Sequence, residues 1–103
     1  MPRIALIAIS RLAPPTMQRV ELPGHGPLVV IARDGEYFVT DDICSHGQAS
    51  LFEGELIGHE ILCPHHHGGF DIRSGMPTRA PCVTAVRSYA VRVDDGVLFI
   101  DTE

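Results

Sequence analysis

The sequence has no lysine, no long hydrophobic run and few basic residues of any kind. The apolar run at residues 4–9 is only six residues long, too short for a signal-peptide core or a membrane span. Three cysteines without a secretory signal indicate a reducing compartment, where neighbouring Cys and His residues act as metal ligands rather than forming disulfides. We therefore expect a cytoplasmic protein with no membrane partner.

The charge balance is acidic, with 13 acidic against 8 basic residues and a net charge of −5. Nucleic acid is not expected as a partner, because phosphate binding needs a basic surface. An acidic surface is compatible with docking onto a basic protein, or it is simply solvated. At 103 residues and 45% hydrophobic content, the chain is expected to fold as a single domain, residues 1–103.

Short apolar segments separated by turn residues recur along the chain, whereas no stretch sustains a helical period. The pattern predicts strands at residues 4–9, 18–22, 28–33, 36–40, 88–93 and 97–100. Residues 34–35 and 94–96 contain Asp-Gly pairs that predict hairpins. We expect an all-β protein of antiparallel sheets, with at most a short turn near residues 49–53.

The middle section, residues 43–82, contains all three cysteines, five of the six histidines and many Gly and Pro residues. Such a section packs poorly by itself. It is predicted to be a subdomain of loops organised by a metal centre, inserted in a β base formed by residues 1–42 and 83–103. Metal binding would then be part of folding.

Two short motifs in this section carry metal-binding chemistry. Cys44 and His46 form a C-x-H motif, and after a spacer of 16 residues Cys63 and His66 form a C-x2-H motif. Each motif supplies one thiolate and one imidazole, whereas zinc sites more often pair Cys with Cys and His with His. The pattern favours a [2Fe–2S] cluster with two Cys on one iron and two His on the other, with zinc as the alternative.

These motifs, at residues 44–47 and 63–71 and continuing at 75–77 and 80–81, resemble those of Rieske ferredoxins. The similarity is greatest to the small soluble ferredoxins of multicomponent bacterial aromatic-ring-hydroxylating dioxygenases, and it covers essentially the whole chain. The resemblance implies the Rieske fold and one [2Fe–2S] cluster. In this family Cys44 and Cys63 would hold the buried iron and His46 and His66 the outer iron. A third loop around residues 75–81, which includes Pro81, would cover the cluster.

The resemblance also implies a function. The chain would be a monomeric one-electron carrier between a flavin-dependent ferredoxin reductase and a terminal Rieske non-haem iron oxygenase, and it would not be an enzyme by itself. An oxygenase subunit would need a separate 2-His-1-carboxylate iron site, yet no histidine follows His67. A further alternative is the small subunit of a nitrite reductase, which shares the fold.

Four positions place the chain within the family. Rieske proteins of respiratory complexes have two further cysteines, and the matching residues here are Ala49 and His65. Those proteins also have Ser and Tyr hydroxyls that bond to sulfur, where this chain has Gly68 and Phe70. Hydrogen bonds to sulfur raise the potential, so we expect a low-potential centre.

Several nearby residues have no role that follows from the motifs. Motif spacing selects His66 as the ligand, which leaves His65 and His67 as partly exposed imidazoles, and Cys82 is interpreted as a small packed residue. Four acidic residues flank the ligand loops and either assist docking or form a solvated face: Asp41, Asp42, Glu53 and Glu55.

Overall fold

The structure is a computed structural model. It describes residues 3–12, 16–22, 26–33, 35–44, 49–64, 68–80 and 84–101. Within these ranges the regular structure consists of antiparallel strands and two short 3-10 turns, Ile9–Arg11 and Leu51–Glu53, and there is no α-helix. The expectation of an all-β protein is confirmed, and the second 3-10 turn lies within the predicted turn near residues 49–53.

The strands form three antiparallel sheets. Their bounds are β1 Arg3–Ala8, β2 Thr16–Leu22, β3 Gly26–Arg33, β4 Glu36–Asp41, β5 Glu55–Ile57, β6 Glu60–Leu62, β7 Gly69–Asp71, β8 Pro77–Arg79, β9 Ser88–Tyr89, β10 Val91–Asp94 and β11 Val97–Asp101. The terminal sheet has the order β1-β11-β10, the central sheet β2-β3-β4-β9 and the distal sheet β5-β6-β7-β8. No helix among the described residues is long and apolar enough to cross a membrane.

Both predicted hairpins are present. In β3–β4, Arg33 pairs with Glu36, and Gly35 adopts φ +79° in the turn; Asp34 lies outside the described residues. In β10–β11, Asp95 and Gly96 have φ values of +52° and +77°. Positive φ at both central residues gives the turn the twist that a two-residue hairpin requires.

Strand β3 is buried on both faces, and its alternating side chains therefore enter two separate cores. Leu28, Val30 and Ala32 face the base core, a cluster shared with the terminal sheet that also includes Ile7, Leu12, Val39, Tyr89, Leu98 and Ile100. Val29 and Ile31 face the loop core, which also includes Cys44, Ala49, Leu51, Ile61, Cys63, Phe70, Ile72 and Val86. The central sheet thus separates the terminal sheet from the distal sheet and the two cysteine-containing segments.

The middle section contains more regular structure than the sequence predicted. The whole distal sheet, β5 to β8, lies between residues 55 and 79, where the sequence suggested loops. Each of its strands is only three residues long, which is too short to show an alternating pattern in the sequence. Pairing with neighbouring strands contributes more to the stability of these segments than the strand propensity of their own residues does.

Candidate metal centre

The thiols of Cys44 and Cys63 approach the loop core from two different sheets. Cys44 follows β4 of the central sheet and Cys63 follows β6 of the distal sheet. Each is only 2% exposed, and both belong to the loop core. The two predicted cysteine ligands, which are 19 positions apart in the sequence, are therefore brought into one water-excluded environment.

A backbone hydrogen bond closes the chain beside each cysteine. The Cys44 amide donates to the Ala49 carbonyl at 2.9 Å, and the Cys63 amide donates to the Gly68 carbonyl at 2.6 Å. Each bond holds the two ends of a short segment together, and by sequence His46 belongs to the first segment and His66 to the second. Both histidines, with His65 and His67, lie outside the described residues.

The ends of the first segment are further tied together by Asp42. Its carboxylate accepts hydrogen bonds from the Ser50 hydroxyl at 2.5 Å and the Phe52 amide at 2.8 Å, and it contacts Arg19 Nε at 3.1 Å. Between Asp42 and Cys44, Ile43 forms a bridge with Ser50. Two residues before the cysteine, the chain is therefore held by a buried charge as well as by backbone bonds.

The suggestion that Asp42 belongs to a docking or solvated surface is wrong. Its side chain is 0% exposed because it accepts bonds from within the fold. Asp41 is half-buried and bonded to the Tyr89 hydroxyl, whereas Glu53 and Glu55 are exposed as a surface role requires. The sequence signal that could have identified Asp42 is its position immediately after the strand, two residues before a ligand.

Glu60 ties the strand before Cys63 to β8, which lies within the third loop. It accepts hydrogen bonds from the Thr78 hydroxyl at 2.5 Å and from Arg79 Nε at 2.8 Å. These bonds hold the pKa of Glu60 below its usual value, and the bond from Thr78 has the largest effect. β6 continues directly to Cys63, while β8 continues toward Pro81. Pro81 and Cys82 are outside the described residues.

The start of the third loop is anchored to Val86. Gly75 adopts φ +81°, and its carbonyl accepts a 2.9 Å hydrogen bond from the Val86 amide. A Cβ at Gly75 would lie 2.1 Å from the Val86 carbonyl oxygen, so only glycine permits this approach. Val86 in turn packs in the loop core beside the cysteines.

The residues around the thiols provide few side-chain hydroxyls. Phe70 is 0% exposed in the loop core and Ala49 is 7% exposed, and Gly68 is buried. The absence of a hydroxyl at positions 68 and 70 is the sequence feature that indicated a low potential. The structure places both positions in the buried region that contains the thiols.

The donor chemistry fits an iron–sulfur cluster. Two buried thiols meet in an apolar core, where thiolate ligands are protected from solvent, and each lies at the base of a segment that carries a histidine. Among the described residues no three His, Cys, Asp or Glu side chains gather as a metal site. By the motifs, the two cysteines would supply half of a Cys₂His₂ set, and in the sequence the histidine-bearing segments start beside them.

Comparison with known proteins identifies the family. The model of the Rieske [2Fe-2S] domain matches residues 3–90. The chain belongs to the Rieske [2Fe–2S] family. The family match accounts for the cluster type that the mixed Cys and His motifs predicted, and it agrees with the three-sheet fold around two buried thiols.

Relatives of this Rieske protein are ferredoxins. The chain is 44% identical over 99 residues to the ferredoxin component of the p-cumate 2,3-dioxygenase system of Pseudomonas putida, covering 95% of this chain and 84% of the relative. It superimposes on the ferredoxin of Sphingomonas yanoikuyae B1 with a TM-score of 0.93 and 34% identity, covering 99% of this chain and 100% of that one. A chain in the complex of reduced oxygenase and oxidized ferredoxin in carbazole 1,9a-dioxygenase gives a TM-score of 0.90 at 37% identity, covering 95% and 91%.

These matches confirm two expectations. The Rieske fold and the resemblance to ferredoxins of aromatic-ring-hydroxylating dioxygenases are both borne out. The named relatives are ferredoxin components of dioxygenase systems, as the resemblance implied. The alternative of a nitrite reductase subunit is not favoured.

Proposed function

We propose that this Rieske protein is a cytoplasmic, monomeric one-electron carrier that passes electrons from a flavin-dependent ferredoxin reductase to a terminal Rieske non-haem iron oxygenase in aromatic compound degradation. The observation that carries the proposal is the convergence of Cys44 and Cys63 in one buried core, in a chain whose relatives are ferredoxin components of aromatic dioxygenase systems. A carrier needs a protected redox centre and no substrate pocket.

The ligand set of one [2Fe–2S] cluster follows from the motifs. Cys44 and Cys63 would hold the inner iron, and His46 and His66 the outer iron. When bound, the cluster supplies reversible one-electron storage. The buried thiols exclude water from the inner side, while imidazole ligands on the outer side would give the electron a short exit path.

The division into a base and an inserted subdomain is supported by the sheet pairings. The terminal and central sheets use strands from Arg3–Ala8 to Glu36–Asp41 and from Ser88–Tyr89 to Val97–Asp101, whereas the distal sheet uses only residues 55–79. We assign residues 43–82 to the cluster-binding subdomain, and residues 1–42 and 83–103 to the base. Because Cys44 and Cys63 belong to the loop core, cluster binding and the packing of that core are coupled.

A carrier of this kind does not contact the substrate of its oxygenase. The relatives accordingly serve p-cumate, carbazole and naphthalene systems on the same scaffold. The partners of this chain are proposed to be a reductase and an oxygenase, and ferredoxin and oxygenase form a complex in the carbazole 1,9a-dioxygenase structure. Specificity for a partner then resides in surface chemistry rather than in the cluster.

Metal analysis and ligand substitution test the site. The purified protein should contain about two irons and two labile sulfides per chain. Cys44→Ser, Cys63→Ser, His46→Ala and His66→Ala should each lose the visible absorption of the cluster. His65→Ala and His67→Ala are matched controls that should retain it. One zinc per chain, or bleaching by His65→Ala but not by His66→Ala, would contradict the assignment.

Reconstitution tests the carrier role. Mixed with the reductase and oxygenase of a p-cumate 2,3-dioxygenase system and the electron donor of that reductase, the protein should support product formation that is lost when it is omitted. The protein alone should form no product. Reduction by the reductase without onward transfer to any aromatic-ring oxygenase would contradict the proposed position in the chain of electron transfer.

A further inference from the structure

Asp42 is a fully buried carboxylate beside the first ligand segment. Its 0% exposure requires compensation, because a charge removed from water is costly unless it is paired and hydrogen-bonded. The Ser50 hydroxyl and the Phe52 amide donate to it, and Arg19 provides a charged partner at 3.1 Å. The fold therefore maintains a compensated negative charge at this position.

The position of Asp42 is close to the ligand. Two peptide units separate its Cα from that of Cys44, which limits their distance to about 7.6 Å. The intervening chain is fixed on both sides, because the Leu51 amide donates to the Asp42 carbonyl at 2.7 Å and Ile43 bridges to Ser50. The Asp42 carboxylate and the backbone of Cys44 are therefore held in a constant arrangement.

The two members of the ion pair differ in their contact with solvent. The Arg19 side chain is 39% exposed while that of Asp42 is 0% exposed, and Arg19 also contacts the exposed Glu21 at 3.2 Å. Solvent screens the guanidinium more strongly than the carboxylate. The two charges therefore do not cancel at the loop core, and the electrostatic potential that the pair produces there is negative.

We propose that the Asp42–Arg19 pair sets the midpoint potential of the cluster, with Asp42 as a positioning residue whose carboxylate lowers the potential and Arg19 as the partner that partly offsets it. This inference rests on the proposed ligand set at Cys44. A fixed negative charge near the cluster opposes the addition of an electron, and a fixed positive charge favours it. The contribution is separate from that of the missing hydroxyls at Gly68 and Phe70.

The test compares three variants of the whole protein loaded with its cluster. Asp42→Asn removes the negative charge at nearly constant shape, Arg19→Gln removes the positive charge, and Ser50→Ala removes a hydrogen bond to Asp42 without changing any charge. Midpoint potentials are measured by redox titration followed by electron paramagnetic resonance, which also reports whether the cluster signal keeps its wild-type line shape.

Opposite shifts are expected. Asp42→Asn should raise the one-electron equilibrium constant for reduction at least threefold, which is about 28 mV at 59 mV per tenfold change. Arg19→Gln should shift the potential downward, by less because its side chain is more exposed, and Ser50→Ala should shift it less than Asp42→Asn does. A role confined to folding would not produce shifts of opposite sign.

Three results would overturn the inference: shifts of the same sign in both charge variants, an unchanged potential in Arg19→Gln, or a shift in Ser50→Ala as large as in Asp42→Asn. Should Asp42→Asn fail to fold, the downward shift in Arg19→Gln still decides the matter. A wild-type protein with no Rieske signal at all would instead contradict the proposed function, so the two failures are distinguishable.

Discussion

Tyr89 has an unusual environment at the boundary between the base core and the strand that leads to Cys44. Its hydroxyl donates to Asp41 Oδ1 at 2.6 Å, and the Arg87 guanidinium lies 4.7 Å from its ring centroid. Burial, which has the largest effect, and the hydrogen bond to Asp41 together raise the pKa of Tyr89 to about 12. The phenol is therefore held neutral well beyond its usual titration range.

This shift predicts an alkaline loss of stability. Because the pKa is about 12 in the folded protein and near 10 when unfolded, the contribution of Tyr89 is complete below about pH 10 and decreases as the pH rises to 12. The loss should be at most about 3 kcal/mol, measured as the free energy of unfolding in denaturant across this range. Tyr89→Phe should remove this decrease.

Absorbance of tyrosinate provides an independent measurement on the same protein, which has two tyrosines. The rise in tyrosinate absorbance near pH 12 comes from Tyr89. It should be absent in Tyr89→Phe. In Asp41→Asn it should move to lower pH while staying above the usual value, because burial is the larger cause. A late step that persists in Tyr89→Phe would contradict the assignment.

At the scale of elements, two glycines with similar backbone angles have different surroundings. Gly75 has φ +81° and Gly96 has φ +77°. Nothing lies within 4 Å of a Cβ added at Gly96, whereas one added at Gly75 would meet the Val86 carbonyl oxygen at 2.1 Å. Gly96 provides only a turn, whereas Gly75 also permits the start of the third loop to approach the backbone of Val86.

Replacing each glycine by alanine separates these two effects. Gly96→Ala should cost only the left-handed strain, about 1–2 kcal/mol, and should leave the cluster absorption unchanged. Gly75→Ala carries the same strain and in addition must displace Val86 from the loop core, so its loss of stability should be clearly larger and its cluster should bleach faster. Denaturant unfolding and the decay of visible absorption measure the two quantities. Equal costs for the two variants would show that the close approach is unimportant.

Glu60 connects β6 to β8 across Gly69. A Cβ at Gly69 would lie 2.7 Å from Thr78 Oγ1 and 2.8 Å from Glu60 Oε2, so the absence of a side chain on β7 lets the carboxylate reach Arg79. The connection spans three strands of the distal sheet and joins the strand before Cys63 to β8 in the third loop. It is partly exposed, with side-chain exposures of 21% for Glu60 and 52% for Arg79.

Removing this charge should weaken the distal sheet modestly. Glu60→Gln is expected to lower the free energy of unfolding by less than about 1 kcal/mol in low salt. The pKa of Glu60 is lowered, so the charged form contributes fully above its usual value of 4.5 and the contribution is lost as the pH falls through the folded pKa. The difference from wild type should therefore shrink in acid and in high salt.

Glu55→Gln on β5 is the matched control for this prediction. Glu55 is exposed, and its side chain forms no ion pair among the described residues. Its replacement should have no such effect. A cost for Glu60→Gln that is independent of both pH and salt would indicate lost packing rather than a lost ion pair.

At the scale of the whole molecule, a carrier with one cluster has one place for rapid electron exchange. In the proposed function, electrons would leave through the ligand segments that carry His46 and His66, and reductase and oxygenase would both require that surface. The interface must then be small and transient, at the lower end of protein interface sizes. The net charge of −5 makes the encounter sensitive to ionic strength.

We expect the protein to transfer electrons by dissociating from one partner before binding the other. Gel filtration of reductase, ferredoxin and oxygenase together should show no ternary complex, and excess oxygenase should slow cluster reduction by the reductase through competition. An unrelated acidic protein at the same concentration should not compete. A stable ternary complex that still supports turnover would contradict the shuttle.

The sequence by itself determined the elements whose causes are local. The Asp-Gly pairs at residues 34–35 and 95–96 predicted both hairpins, since positive φ is available to those residues without strain. The apolar runs predicted most strands of the terminal and central sheets, but the run at residues 88–93, predicted as one strand, forms β9 and β10 in different sheets. The spacing of the Cys and His motifs predicted the cluster type. Each of these signals lies within a few consecutive residues, where composition and geometry are directly linked.

The tertiary structure alone decided which distant residues meet. The distal sheet consists of three-residue strands, which are stabilised by their pairing with each other and by the burial of Ile61 and Phe70 in the loop core. Asp42 was grouped with surface acids because its burial depends on Arg19 from another strand and on Ser50 beyond the ligand segment. Glu60 reaches Arg79 only because Gly69 leaves the intervening strand bare. These contacts join residues up to 23 positions apart, and their energy depends on the distances and burial that the packed sheets create rather than on any local sequence pattern.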